Sequence, residues 1–97
     1  MDEPKTEQFL MLKRKWIERE LKYFTPAMLM VWIVLKTHEN IHTHLCFPSK
    51  NTIAKMTGLS VSTVKRALAS LEGSFVIEIY QEYSNTGVYH NVYKMKK

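Results

Sequence analysis

Residues 49–72 read SKNTIAKMTGLSVSTVKRALASLE, and their spacing decides the fold. Ser49 and Ser60 each stand where a side-chain oxygen accepts from the unpaired N–H groups that open a helix. Gly58 lies between them, where a left-handed residue ends the first helix. Ile53, Ala54, Gly58, Leu59, Val64 and Ala67 have the sizes that two short, steeply crossing helices need. A small residue stands at the approach, a glycine at the turn, and aliphatic plugs between. The stretch reads as a helix-turn-helix.

At about 100° per residue, Val64, Ala67, Leu68 and Leu71 share one face of the second helix and point to the core. Ser62, Lys65, Arg66 and Ala69 point away, with Val61 at the border and Ser60 and Thr63 at the hydroxyl-rich opening. Ser62 donates and accepts, Val61 suits a thymine methyl, and Lys65 and Arg66 suit guanine edges or phosphates. The small Ala69 lets a backbone come close. Short polar groups leading and cations behind them are what a helix needs to enter a major groove.

Upstream, Thr6 to Phe24 is predicted as a helix with a wide apolar face. Phe9, Leu12, Trp16 and Tyr23 lie along one side and Leu10, Ile17, Leu21 and Phe24 along a neighbouring one. Thr25 and Pro26 then cap and start a second helix running to about Glu39-Asn40. "IHTHLCF", residues 41–47, reads as extended, and Pro48 disfavours helix at Phe47. After Gly73 the period changes to two. Phe75, Ile77 and Ile79 alternate with Val76, Glu78 and Tyr80 as a half-buried strand, Ser84 to Gly87 supplies a turn, and Val88 to Met95 returns antiparallel.

Ninety-seven residues make one folding unit of ordinary globular composition. The net charge of +5 is uneven: residues 1–48 hold seven basic and six acidic side chains, whereas residues 49–97 hold seven and three. The positive field belongs to the half that begins with the helix-turn-helix, and a polyanion is its natural partner. A single cysteine, Cys46, excludes an intramolecular disulfide and fits a reducing cytoplasm. The opening Met-Asp-Glu-Pro-Lys is unlike a signal peptide. The longest apolar run, Ala27 to Leu35, has nine residues, against the ~20 that span a bilayer. A cytoplasmic protein without membrane attachment is the expectation.

"CFPSKNTIAKMTGLSVSTVKRALASLE", followed by a hairpin ending "NVYKM", resembles the winged helix-turn-helix domains of bacterial, phage and plasmid replication initiators and related small transcription regulators. The similarity runs from about Thr25 to Met95. It implies an α+β fold, with a three-helix core and a β-hairpin wing in residues 25–97. Residues 1–24 add an N-terminal helix. It also implies duplex-DNA binding through the helix Ser60 to Glu72, with Ser49, Lys50 and Asn51 touching phosphates. One departure stands out: the wing carries Glu78 and Glu82 where the family usually has cations. Asn85 and Thr86 at the uncharged turn, His90, Lys94, Lys96 and Lys97 are the groups left to make a wing contact.

Other chemistry is weakly supported. His38, His42, His44 and Cys46 fall within nine residues, but one contiguous segment rarely wraps a tetrahedral ion, so no metal or other cofactor is assigned. Neither a phosphate loop nor a nucleophile motif is present, so no enzyme activity and no small-molecule substrate are expected. Tyr80, Tyr83, Tyr89 and Tyr93 suit base stacking with single strands, but tyrosine is equally a cross-strand packing residue. The reading is therefore a duplex-DNA-binding homodimer, a small transcription regulator of a prokaryote or mobile element. Phe9, Leu10, Trp16 and Ile17 are expected at the dimer contact. The alternative is the DNA-binding part of a replication initiator, or a winged helix serving protein interaction in primosome assembly.

Overall fold

A computed structural model describes residues 12–97 of the chain. Helix α1 spans Arg14–Glu20 and runs into a short 3-10 turn, Leu21–Tyr23. Helix α2 covers Pro26–His38, strand β1 Leu45–Cys46, helix α3 Lys50–Thr57 and helix α4 Val61–Gly73. Strands β2, Ile77–Tyr83, and β3, Tyr89–Met95, form the hairpin. β3 lies in the middle of an antiparallel sheet of order β1-β3-β2. This is a winged helix-turn-helix, as the residue pattern predicts.

Local chemistry accounts for the helix boundaries. Thr25, Ser49 and Ser60 accept from the backbone N–H three residues ahead, at Met28, Thr52 and Thr63. Gly58 closes α3 at φ +76°, with its N–H bonded to the Ala54 carbonyl at 2.8 Å. Thr57 reinforces the turn: its hydroxyl donates to the Ile53 carbonyl and accepts from the Leu59 N–H.

The core gathers Val31, Trp32 and Leu35 of α2, Ile53 of α3, and Val64, Leu68 and Leu71 of α4 against Cys46, Ile77, Tyr93 and Met95 of the sheet. Burying each large apolar side chain contributes about 1.5–3 kcal/mol. Register sets the sheet's two faces, because Ile77 pairs with Met95 and Ile79 with Tyr93 on the core side. Burial pushes the Cys46 thiol up to about 12 and also raises the Tyr93 phenol. Among the described residues, no helix is long and apolar enough to cross a membrane.

Three expectations are corrected by tertiary contacts. The helix foreseen over Thr6 to Phe24 is, within the described residues, the seven residues of α1 plus the 3-10 turn. Its broad apolar face divides: Trp16 turns inward, while Leu12 and Tyr23 are exposed. The segment 41–47 turns at residues 41–43 and forms strand at Leu45–Cys46. Before it, the Asn40 side chain accepts from the His42 and Thr43 N–H groups, and His44 is left-handed at φ +63°. His42, His44 and Cys46 therefore do not share the face of one strand.

The third correction concerns Phe75, expected to be an inward strand residue. It takes φ +61° and is 81% exposed. Its N–H bonds to the Glu72 carbonyl, and that of Val76 to Leu71. This pair of bonds is a Schellman cap, with Phe75 in the left-handed position where glycine is usual and both Val76 and Leu71 buried in the core. The strand begins two residues later, at Ile77.

Candidate nucleic-acid interface

The outer face of α4 follows from its inner one. With Val64, Ala67, Leu68 and Leu71 buried, Ser60, Ser62, Lys65, Arg66 and Ala69 are exposed, and Val61 and Thr63 are half-buried. The opening turn is organised by the cap. Ser60 Oγ accepts from the Thr63 N–H at 3.1 Å and donates to Thr63 Oγ1 at 2.9 Å. Arg66 Nη2 donates to the same Thr63 Oγ1 at 3.2 Å. Cation, hydroxyls and the positive end of the helix dipole thus converge on one turn.

Helix α3 repeats half of this arrangement. Ser49 Oγ accepts from the Thr52 N–H and donates to Thr52 Oγ1, both at 3.0 Å. Ser49 and Asn51 are exposed and Lys50 is half-buried. Lys55, exposed on the same helix, is a further cation that the sequence reading leaves unassigned. From Lys50 to Gly73 the charged residues are Lys50, Lys55, Lys65, Arg66 and Glu72, with the one acid in the last turn of α4. The first turn of α4 therefore faces solvent with positive charge.

The hairpin tip is built differently. Ser84 N–H bonds to the Val88 carbonyl at 2.9 Å, the Ser84 and Thr86 hydroxyls meet at 2.7 Å, and Gly87 takes φ +85°. Asn85 and Thr86 are exposed at the turn, flanked by Tyr83 and Tyr89, whose rings meet edge-on at 4.8 Å. The four hairpin tyrosines thus part company. Tyr93 is fully buried, Tyr80 donates to Glu78, and only Tyr83 and Tyr89 form an exposed pair. The Tyr80 hydroxyl holds the Glu78 carboxyl below its ordinary range. Glu78 also faces Lys96, and Glu82 faces His90, so the outer wing is acidic but internally paired.

The expected dimer contact divides across the description. Phe9 and Leu10 lie outside the described residues. Trp16, expected to face a second subunit, is instead only 7% exposed and packs on Phe24 and Trp32 at 5.8 and 5.2 Å. Its large ring packs between Phe24 and Trp32 of the same chain. Ile17 is half-buried against the same core.

Among solved structures, a possible transcriptional regulator from Methanosarcina mazei Go1 shares the fold, with a TM-score of 0.55 and 22% identity over 89% of this chain and 68% of that one. No curated protein matches the chain. A family model for the helix-turn-helix domain matches residues 23–74, from the end of the 3-10 turn through the whole of α4. The cap at Ser60, the left-handed Gly58 and the buried plugs Ile53 and Val64 all fall inside that span. The chain belongs to the helix-turn-helix domain family.

Proposed function

We propose that the chain is a sequence-specific duplex-DNA-binding protein that acts as a small transcription regulator of a prokaryote or mobile element. The observation that carries this is the outer face of α4, where Ser62, Lys65 and Arg66 stand exposed beside a capped, cation-bearing first turn. A helix of that kind fits the major groove, with hydroxyls and cations presented to base edges and phosphates. Ser49, Lys50 and Asn51 at the start of α3 supply phosphate contacts, and Asn85 and Thr86 supply an uncharged wing contact. The Methanosarcina protein's description as a possible transcriptional regulator agrees with the role. The protein works in the cytoplasm as a homodimer, with Phe9, Leu10 and Ile17 near the contact. Two recognition helices then lie about one DNA turn apart, ~34 Å, on a palindromic site.

Selection from a pool of random duplexes, with enriched sites retested at two salt concentrations, tests this reading. A palindromic motif that survives higher salt is expected. Weak binding with no enriched motif, lost as salt rises, overturns it. Lys65→Ala and Arg66→Ala should each weaken a cognate site by about 1–3 kcal/mol where the side chain reads a base.

The acidic, internally paired wing favours a second reading, a winged helix that assembles replication proteins. In that case the Lys65→Ala and Arg66→Ala pair leaves function intact, whereas changes on the wing abolish it.

A further inference from the structure

Resting on the reading of α4 as a DNA-contacting helix, the hydrogen bonds of its first turn carry a finer consequence. A hydroxyl has one proton to donate and two lone pairs to accept with. Thr63 Oγ1 accepts from Ser60 Oγ and from Arg66 Nη2. Both lone pairs are engaged, and the proton of Thr63 has no acceptor among the described residues. The Arg66 guanidinium uses one of its several donors on Thr63 and lies back along the helix toward the leading turn, as helical side chains do. α3 supplies an internal contrast: Ser49 and Thr52 make the same cap, and Lys55, three residues on, makes no matching bond. The bond from Arg66 is therefore an addition to the cap and not a requirement of it.

We propose that Thr63 is a positioning and specificity-determining residue. It holds Arg66 at the leading end of α4 and, together with it, forms a donor-only pair for two adjacent acceptor atoms. Two DNA groups have that chemistry: the N7 and O6 edge of guanine, and a pair of phosphate oxygens. Adenine's N6 amine and cytosine's N4 amine present donors and are refused by the pair. Pre-placing the guanidinium lowers the cost of ordering a long side chain on binding.

Thr63→Val separates this role from the cap, because Ser60 accepts from the backbone N–H of residue 63, which valine keeps. It also loses the exposed Ser60–Thr63 hydroxyl bond, whose proton water then accepts, so the variant should unfold close to the wild-type temperature. In the free protein, 15N relaxation of the Arg66 Nε–H group should report a more mobile guanidinium in Thr63→Val and wild-type rigidity in Thr63→Ser. On the duplex enriched by the wild-type chain, Thr63→Val should bind about tenfold more weakly and Thr63→Ser nearly normally. The double variant should lose less than the sum of the two single losses, since part of what Thr63 does is done through Arg66.

Replacing guanine by 7-deazaguanine, or a phosphate by methylphosphonate, names the acceptor: the one that weakens wild type more than it weakens Arg66→Ala is the group held. Unchanged Arg66 mobility in Thr63→Val, or additive losses in the double variant, overturns the proposal. Absence of duplex binding by the wild-type chain instead overturns the reading of α4 on which it rests.

Discussion

Replacing Gly58 and Gly73 by alanine, one at a time, is expected to move stability in opposite directions. A Cβ built at either position meets nothing within 4 Å, so packing is removed from the comparison and only backbone conformation remains. Gly58 sits at φ +76° in the turn between α3 and α4. An L-residue there costs about 1–2 kcal/mol in steric strain. The smaller conformational freedom of alanine in the unfolded chain returns about 0.4–1 kcal/mol. The net expectation is a loss of about 1 kcal/mol. Gly73 closes α4 in helical geometry, where alanine is better by about 0.5–1 kcal/mol. Its place in the last turn puts the gain near the lower figure. The two variants should therefore differ by about 1.5 kcal/mol, or roughly 6–12 °C in thermal midpoint for a domain of this size. Urea unfolding followed by circular dichroism measures it, with unchanged slopes showing that only stability moved. A shift of both variants in the same direction, or a Gly58→Ala protein as stable as wild type, refutes the reasoning.

Three further outcomes follow from the core and the loop before β1. Trp16→Ala should cost about 3–5 kcal/mol, because the ring packs on Phe24 and Trp32 inside the fold; a loss below about 1 kcal/mol, the size of a surface substitution, would show that α1 is a detachable appendage. Burial raises the pKa of the Glu39 carboxyl, but hydrogen bonds and charge from Lys36 and His44 outweigh it, leaving the group below its ordinary range. Its stabilisation is thus complete above the ordinary carboxylate range and is lost as pH falls through and below it. Glu39→Gln should flatten that acid limb, and acid titrations of the two proteins that superimpose after scaling would contradict it. The Cys46 thiol, pushed from 9.0 up to about 12 by burial, should alkylate on the order of 10³ slower than a free cysteine at pH 8 while the protein is folded. Equal rates in native and urea-unfolded protein would refute that.

The sequence by itself determined what depends on neighbours in the chain. A cap joins residues three apart, a left-handed stop needs one glycine, and a helix face or strand alternation repeats within a few residues. Ser49, Gly58, Ser60, the buried stripe of α4 and the hairpin around Ser84 to Gly87 were therefore legible, and so was the exposure of Ser62, Lys65 and Arg66. The bond from Arg66 to Thr63 is also local, and the spacing Ser60-Thr63-Arg66, each three residues on, was the signal that would have found it. Tertiary structure decided the rest. Trp16 and Tyr23 look alike as apolar helix residues, but only Trp16 has Phe24 and Trp32 to pack against, so one is buried and the other exposed. Gly73 looks like the helix stop, yet α4 ends at a left-handed Phe75. Val76 must reach the core that also buries Leu71, and that places the reversal two residues after the glycine. His44 turns left-handed because its carbonyl accepts from the Met95 N–H, a partner 51 residues away that closes the edge of the sheet. Periodicity reports which side chains are able to be buried; the number of partners within reach in three dimensions decides which of them are.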